Sequence, residues 1–418
     1  MEIEKFTFGM GDRFAHQGRA QLRAVIAARE QGIRVHPVWN KSNREHTIVH
    51  SHPSDVRAEA DDAVRALGWD GSYYVDADHI GLKTVEAFLE GSDFFTLDVA
   101  DFVGKPADGE EIDAFLLFAG KYVGTLVIPG IEKPFDLTES VVREAASKFL
   151  LAMREAGRIY RHIADRKGVG HFVTEVSVDE TDAPQNPLEL FLILAMLAES
   201  GVPVQTIAPK FTGRFNKGVD YVGDLAAFSR EFDEDISVIA YAVSELGLPR
   251  SLKLSVHSGS DKFAIYPAIN RLVRKHGCGL HVKTAGTTWL EEMIGLAESG
   301  GEGLEVAREV YAGALSRYAE LTGPYATVLA IDPAALPTLD QVNGWSADEF
   351  AGALRHDSAC PQYNLHFRQL MHVGFKIAAE MGQRYRDALV SHEGIISRNV
   401  TNNLLNRHLV PIFGGVDR

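Results

Sequence analysis

The chain contains only two cysteines among its 418 residues, Cys278 and Cys360, and neither belongs to a CxxC pair. This scarcity argues against thiolate zinc clusters and a disulfide framework, and it fits a reducing compartment. No run of 18 or more apolar residues occurs, which argues against a membrane span. The opening residues MEIEKFTFGMGDRF have no apolar core of a signal peptide. We therefore expect a cytoplasmic protein.

Runs of Lys and Arg are also missing. The chain has 42 Lys and Arg against 57 Asp and Glu, a formal net charge of −15, and its pI is near 5.5. A nucleic-acid binder carries a basic face that displaces counterions from phosphates, so we expect no nucleic-acid partner. An acidic protein can still bind a small anion if its cations are gathered in the site.

What the sequence does contain is a repeated order of a short β-rich run, a polar tip and a helical stretch. The eight candidate strands are Phe6–Gly9, Ile33–Val38, Tyr73–Asp76, Phe94–Val99, His171–Ser177, Pro203–Ala208, Ser251–Val256 and Gly279–Lys283. The clearest helices are Gln17–Glu30, Ser54–Leu67, Glu139–Ala164, Pro187–Glu199, Gly223–Leu246 and Lys262–Lys275. Both a closed barrel and an open doubly wound sheet have this alternation.

The polar tips favour the barrel. They comprise Asp12, Arg13, Asn40, Lys41, Arg44, Asp76, Asp78, His79, Asp98, Glu175, Asp179, Lys210, His257 and Lys283. In a parallel barrel all eight carboxyl ends of the strands converge on one face, where active sites lie. No GxGxxG or GxxxxGK[ST] follows the first strand, which argues against a nucleotide-binding open sheet. The sequence therefore predicts an α/β protein, a (β/α)8 TIM barrel over residues 1–302.

Two segments lie outside the repeat. Residues 101–138 interrupt the fourth unit and predict a helix and a hairpin, and residues 303–418 predict a helical C-terminal extension packed on the barrel. The extension could form a cap or an oligomer contact, so a homo-oligomer is compatible with the sequence, which does not fix the number of subunits.

Histidines at three strand ends predict a metal site. His79 follows Asp78 in the segment YYVDADHIGLKTVE, and we group it with Glu175, His257 and His281 as ligands. Neutral imidazole is the commonest metal-binding side chain, and a buried carboxylate needs a partner or an ion. A helix-capping aspartate beside a surface histidine is the alternative for Asp78-His79. The expected cofactor is a divalent ion, zinc first, with manganese, nickel, cobalt or iron as alternatives.

Other histidines are less suitable as ligands. His50 and His52 form an HxH after the second strand, followed directly by a proline and a helix start, and we interpret them as a solvated loop. His356, His366 and His372 in the C-terminal part are interpreted as structural or rim residues.

Cations and polar groups gather at the same strand tips. The candidate substrate-binding residues are Arg13, Asn40, Lys41, Arg44, Lys210, Ser258, Lys262 and Lys283. Each cation alone fits a solvated surface charge, but six on one rim of an acidic protein favour a carboxylate or phosphate guest. Ser258 opens a Ser-Gly-Ser turn whose N–H groups could bind an anion or a sugar hydroxyl.

The segments GMGDRF, PVWNKSNREH, DADHI, SDFFTLDVADF, TEVSVDET, APKFTGRFNKGVDY, LSVHSGSDKF and GLHVKTAGTTWLE resemble those of the tagaturonate epimerase family. The resemblance covers about residues 6–300 and implies interconversion of tagaturonate and fructuronate, with a sugar acid as the small-molecule partner. The inverted carbon is β to the ketone, so its hydrogen is not acidified. A metal-dependent retro-aldol/aldol sequence, which breaks and reforms the C3–C4 bond, avoids this difficulty.

The DADHI segment is also similar to the Asp-His pair of class II metal-dependent aldolases. This similarity implies that Asp78 is the acid/base and His79 a ligand. We take Asp78 as the principal acid/base, with Asp98 or Asp179 as a second proton carrier. An aldolase that releases its fragments and a metal-dependent ketose or ketouronate isomerase remain alternatives. A non-catalytic sugar-acid sensor is a third, although such a protein would normally lack part of the ligand set.

Overall fold

The computed structural model describes residues 1–416 and contains a closed barrel of eight parallel strands. The ten strands are β1 Phe6–Met10, β2 His36–Ser42, β3 Tyr74–Ile80, β4 Phe94–Asp98, β5 Gly124–Leu126, β6 Phe135–Leu137, β7 Val173–Ser177, β8 Thr206–Ala208, β9 Lys253–Val256 and β10 Leu280–Thr284. The barrel order is β1-β10-β9-β8-β7-β4-β3-β2, while β5 and β6 form a separate antiparallel pair. The predicted (β/α)8 barrel is confirmed.

Helices surround the barrel and continue to the end of the described chain. They are α1 Gly18–Glu30, α2 Asn43–Val49, α3 Pro53–Leu67, α4 Gly109–Ala119, α5 Glu139–Lys167, α6 Pro187–Glu199, α7 Leu225–Leu246, α8 Tyr266–His276, α9 Thr287–Glu298, α10 Gly301–Ser316, α11 Tyr318–Thr322, α12 Leu339–Gly344, α13 Ala347–Leu354, α14 Leu365–Val373, α15 Phe375–Met381, α16 Gln383–Ser391, α17 Glu393–Asn403 and α18 Val410–Phe413. No helix in residues 1–416 combines the length and the apolar character needed to span a membrane.

Local chemistry fixes several helix starts. Asn186 caps α6, since its side chain accepts the N–H of Glu189 while the Glu189 carboxylate accepts the N–H of Asn186. Pro187 occupies the first helical position, where its missing N–H leaves no helical bond unmade. Ser42 and Glu45 form the same reciprocal pair at the start of α2.

Strand β2 lies further along the chain than the predicted Ile33–Val38. It runs from His36 to Ser42, so Asn40 and Lys41 belong to the strand instead of following it. Because side chains alternate between the two faces of a strand, Asn40 faces the barrel mouth and Lys41 faces the helical layer. Strand β3 likewise extends to Ile80 and includes the DADHI segment.

The interruption after β4 has the predicted content. Residues 101–138 contain helix α4 and the β5–β6 hairpin. After α9 the chain is helical, with α17 packed on α1 and α9 and α18 packed on α8. Phe413 contacts Phe6 and Phe8 on the outer face of β1, with ring centroids 5.7 and 6.4 Å apart. The C-terminal helices thus form part of the layer that covers the barrel.

Candidate active site at the barrel mouth

A cavity of about 170 Å³ opens at the carboxyl ends of the strands. Its lining consists of Arg13, Asn40, Ser42, Asn43, Arg44, Glu45, Asp78, His79, Asp98, Asp179, Glu180, Lys217, His257, Ser258, Lys283, Ala285 and Tyr325. Seven of these residues, among them Asp179, His257 and Tyr325, also line a second cavity of about 510 Å³, which is walled partly by residues 324–329 of the C-terminal extension. Most of the predicted site residues therefore meet at one mouth.

Three side chains at this mouth have the geometry of a metal centre: His79, Asp179 and His257. Asp179 Oδ1 lies 3.7 Å from His79 Nε2 and 3.2 Å from His257 Nδ1. The two imidazole centroids are 5.1 Å apart. Two ligand atoms about 2.1 Å from one tetrahedral ion lie about 3.4 Å from each other, so this spacing suits one cation.

The far nitrogen of each ring is held by another carboxylate. His79 Nδ1 lies 2.9 Å from Asp78 Oδ1, and His257 Nε2 lies 2.7 Å from Glu175 Oε1. Carboxylates in this position fix the tautomer of metal-binding histidines and raise their basicity. Glu175, predicted as a ligand, instead lies behind His257.

The charged groups around the centre shift one another's pKa values. Burial disfavours charged imidazoles, but Asp179 and Glu175 outweigh it and raise the pKa of His257 to about 9. Asp78 and Asp179 likewise outweigh burial at His79, whose pKa lies well above its ordinary value. The pKa of Asp179 lies well below its ordinary value, since the two histidines outweigh its burial. The cluster thus attracts positive charge.

His281 lies deeper in the barrel than the other histidines. Its side chain is fully buried, Nδ1 lies 2.8 Å from Thr7 Oγ1, and burial lowers its pKa to about 3. His281 shares a strand face with Lys283 but sits two residues earlier, about 6.6 Å lower along the strand. Asp179 therefore takes the place in the cluster that the sequence pattern assigned to His281.

Backbone conformation also marks the site. His79 and Ser258 adopt left-handed φ values of 53° and 48°, which non-glycine residues rarely do. The pairing of β3 with β4 shifts register between Ala77 and Ile80, so His79 lies at an irregularity of the kind that redirects a side chain. Such strain is concentrated at functional sites.

Asp78 and Asp98 differ in their surroundings. Burial would raise the pKa of Asp78, but the charges of Lys283 and His79 outweigh it and the pKa lies far below its ordinary value. Asp98 is half-buried at the cavity wall, and burial raises its pKa despite the charge of His79. Of the predicted proton carriers, Asp98 is the one whose environment suits proton exchange.

Several predicted substrate-binding cations have other partners. Lys41 Nζ donates to the Arg13 carbonyl at 2.6 Å, on the helical side of β2. Lys262 is fully buried and donates to the carbonyls of three residues: Asn216, Val219 and Ser260. Lys210 lies in the second cavity and donates to the Thr181 carbonyl. All three lysines lie outside the first cavity. Lys41 is on the face of β2 that points away from the mouth, and the other two are held by the loops that follow their strands. The spacing of residues in the sequence reveals neither cause.

Lys283 is at the cavity floor, but its ammonium is already engaged. It lies 2.6 Å from Asp76 Oδ2, 2.6 Å from Asp78 Oδ1 and 3.1 Å from Glu175 Oε1. It also donates to Thr96 Oγ1 at 2.6 Å. With three N–H donors and four acceptors, Lys283 has none left for the substrate contact expected from the sequence.

Besides Lys283, the cations that line the cavity are Arg13, Arg44 and Lys217. Arg13 pairs with Glu45 at 3.1 Å. Arg44 and Lys217 both approach the ring of Tyr325, at 5.5 and 5.7 Å from its centroid. Sequence reasoning missed Lys217 and Tyr325. Lys217 lies in the quoted segment RFNKGVDY, which could have identified it, whereas nothing local marks Tyr325.

The remaining histidines lie elsewhere. His50 and His52 are exposed residues at the end of α2 and the start of α3. His356 contacts Asp261 at 3.2 Å, His366 Nδ1 accepts the N–H of Asp332, and His372 is buried. None of them belongs to the metal-competent cluster.

This architecture, a parallel barrel with a charged cavity at its carboxyl mouth, is that of the (β/α)8-barrel enzymes. The family model described as tagaturonate epimerase matches residues 1–390, and the chain belongs to that family. The match reaches beyond the segments that carry the sequence resemblance and includes most of the C-terminal helices.

Individual relatives agree with this assignment. The chain is 29% identical over 424 residues to the tagaturonate/fructuronate epimerase of Thermotoga maritima, covering 96% of this chain and 80% of that protein. A glycerol-complexed crystal structure of the fructuronate-tagaturonate epimerase from Cohnella laeviribosi superposes with a TM-score of 0.81 at 23% identity, covering 99% and 82% of the two chains. The native structure of the same enzyme gives 0.78 at 24% identity, with the same coverage. These superpositions support the fold.

Proposed function

We propose that this chain is a divalent-metal-dependent epimerase that interconverts tagaturonate and fructuronate by a retro-aldol/aldol sequence. One observation carries the proposal: His79, Asp179 and His257 converge on one point at the barrel mouth, with the far nitrogen of each imidazole held by a carboxylate. The family membership of the chain supplies the substrate class.

The residues fit a divalent ion. His79 Nε2 is a buried nitrogen with no hydrogen-bond partner in the described chain, and it faces Asp179. Two imidazoles and one carboxylate form a donor set that accepts zinc, manganese, cobalt, nickel or iron, and three protein ligands leave room for substrate oxygens. A bound ion would supply Lewis-acid stabilisation of negative charge on the ketone side of the substrate.

We assign proton transfer to Asp98. Its carboxylate removes the proton from the C4 hydroxyl, the C3–C4 electron pair passes to the ketone fragment as an enediolate, and C4 becomes an aldehyde. The aldehyde fragment rotates within the cavity, the C3–C4 bond reforms on its other face, and Asp98 returns the proton to the C4 oxygen. In this scheme Asp78, given the acid/base role by the sequence hypothesis, orients His79.

We assign the substrate carboxylate to Arg44 and Lys217. Both side chains, like Tyr325, line the first cavity as well as the second. No carboxylate among residues 1–416 forms an ion pair with either side chain, unlike Arg13, which already pairs with Glu45. A cation without a carboxylate partner inside a cavity retains its capacity to bind an anionic ligand.

The test is incubation of the zinc-loaded protein with tagaturonate in D2O, followed by NMR. We expect fructuronate with no deuterium at C3 or C4, loss of activity after chelation, and recovery on adding zinc. Free three-carbon fragments as the main product would indicate an aldolase. Deuterium on carbon would indicate a proton-transfer isomerase, and activity that persists in metal-free protein would contradict metal dependence.

A further inference from the structure

A buried lysine lies behind both histidines of the proposed metal centre. Lys283 extends from β10 across the barrel interior and is almost fully buried. The inward position beside it on β1 is Gly9, where a Cβ would lie 3.1 Å from Lys283 Cγ. The missing side chain at Gly9 therefore leaves room for the lysine stem.

The ammonium joins the carboxylates that hold the two rings. On one side Lys283 lies 2.6 Å from Asp78 Oδ1, the same oxygen that is 2.9 Å from His79 Nδ1. On the other side it lies 3.1 Å from Glu175 Oε1, the same oxygen that is 2.7 Å from His257 Nε2. Two continuous chains of contacts thus run from one nitrogen to both imidazoles.

The arrangement has a physical consequence for each ring. Asp78 and Glu175 can accept a ring N–H only in fixed orientations, and Lys283 holds those orientations while compensating the buried negative charge. Each ring then presents its other nitrogen, His79 Nε2 and His257 Nδ1, toward Asp179.

We propose that Lys283 is a positioning residue for the metal centre, which orients His79 and His257 together through Asp78 and Glu175. The inference rests on the proposed metal site but adds to it, because it gives one residue joint control of two ligands. It also accounts for a lysine at the cavity floor that has no donor free for substrate.

The test uses the full-length variant Lys283→Met. Zinc affinity is measured by competition with a chromophoric chelator, and the visible absorption of the cobalt-substituted protein reports ligand geometry. We expect zinc affinity to fall by about 10-fold, the lower end of the 10- to 100-fold effect of losing a direct outer partner of a metal-binding histidine, because Lys283 acts through Asp78 and Glu175. We also expect the cobalt bands to shift. Wild-type affinity together with an unchanged cobalt spectrum would overturn the proposal.

Asp76→Asn is the matched control. Asp76 contacts Lys283 at 2.6 Å and accepts from Thr96 at 2.9 Å but touches neither histidine. We expect its zinc affinity to stay within a few-fold of wild type. A purely structural role of Lys283 would lower the unfolding midpoint of Lys283→Met while leaving the zinc affinity and cobalt spectrum of the folded fraction unchanged.

If Lys283→Met does not fold, the double variant Lys283→Met/Asp76→Asn removes one buried charge of each sign while still lacking the ammonium that joins the two chains of contacts. We expect this double variant to show the same fall in zinc affinity and the same shift of the cobalt bands as the single variant. Gly9→Ala is a milder test that displaces the lysine stem and should shift the cobalt bands in the same direction.

The outcomes separate this inference from the proposed function. A wild-type protein that binds zinc but does not convert tagaturonate would contradict the proposed function and leave the Lys283 inference intact. A wild-type protein that converts tagaturonate, with Lys283→Met unchanged in zinc affinity and cobalt spectrum, would contradict the inference alone.

Discussion

Two regions of the molecule combine the same ingredients, an aspartate flanked by two histidines. At the mouth, Asp179 lies between His79 and His257. Beneath the C-terminal helices, Asp261 contacts His356 at 3.2 Å, and its N–H donates to His408 Nε2 at 3.1 Å. Only the first cluster has the geometry to hold a metal.

The difference lies in what surrounds each aspartate. Asp261 is fully buried and pairs with the buried Arg368 at 3.2 Å, so its charge is already compensated. Burial lowers the pKa of His356 and that of His408, to about 4 for His408, so both rings are neutral. Asp179 has no Lys or Arg within ion-pair distance in the described chain and faces a cavity. Metal competence thus depends on a carboxylate without a Lys or Arg partner and on imidazoles whose far nitrogens are held by other carboxylates.

The largest expected effects come from replacing Asp179 and Asp261, and the two replacements should act on different properties. Asp179→Asn removes a proposed ligand, and we expect kcat to fall on the order of 10³-fold, with loss of bound zinc. Asp261→Asn leaves Arg368 buried without its charge partner and should cost about 3–5 kcal/mol of stability while the folded fraction retains zinc. Metal analysis and denaturant unfolding check both, and zinc-free folded Asp261→Asn would contradict the comparison.

The second effect concerns proton transfer. Asp98→Asn removes the proposed acid/base, and we expect kcat to fall by about 10²- to 10⁴-fold with zinc content unchanged. Asp101→Asn is the matched control, because Asp101 is exposed in the turn that follows β4. Wild-type kcat in Asp98→Asn would return the acid/base role to Asp78.

A smaller effect concerns the substrate carboxylate. Lys217→Met and Arg44→Met should each raise KM for tagaturonate by about 10- to 100-fold, since a hydrogen bond to a charged group contributes about 1.5–3 kcal/mol. The exposed Lys83 supplies a control substitution, Lys83→Met. Any residual activity on a neutral ketohexose should not change, and an equal loss on both substrates would contradict the assignment.

The last effect is on stability, not on catalysis, and is confined to acid pH. His408 has a folded pKa of about 4 against an ordinary 6.5, so the unfolded chain binds the proton first as the pH falls. The stability from this group is complete above pH 6.5 and is lost as the pH falls toward 4, by about 3 kcal/mol. His408→Gln should flatten this part of the unfolding profile, whereas the exposed His50→Gln should follow wild type. Parallel profiles for wild type and His408→Gln would show that His408 is not the group responsible.

The barrel could be predicted because strand and helix patterns are local and the polar tips recur. The limits of the elements were harder to predict. Strand β2 begins three residues later than the predicted strand, so Lys41 lies within the strand instead of at its tip. A sequence shows which residues alternate but not where the pairing with neighbouring strands begins.

The candidate site, like the fold, could be predicted only in part from the sequence. His79 and His257 were proposed from their positions at strand ends, whereas His281 lies too deep and Asp179 joins the cluster in its place, because depth within a barrel depends on strand stagger. Tyr325 could not be found at all, since it reaches the cavity from the C-terminal extension. Long-range contacts of this kind leave no local pattern in the chain.

The position of Tyr325 has a consequence for biosynthesis. A nascent chain that has completed all eight barrel strands, up to Thr284, still lacks the wall formed by residues 324–329. The cavity therefore has one open side until the last quarter of the polypeptide emerges and folds. Enclosure of a ligand thus depends on a segment that is synthesised after every barrel strand.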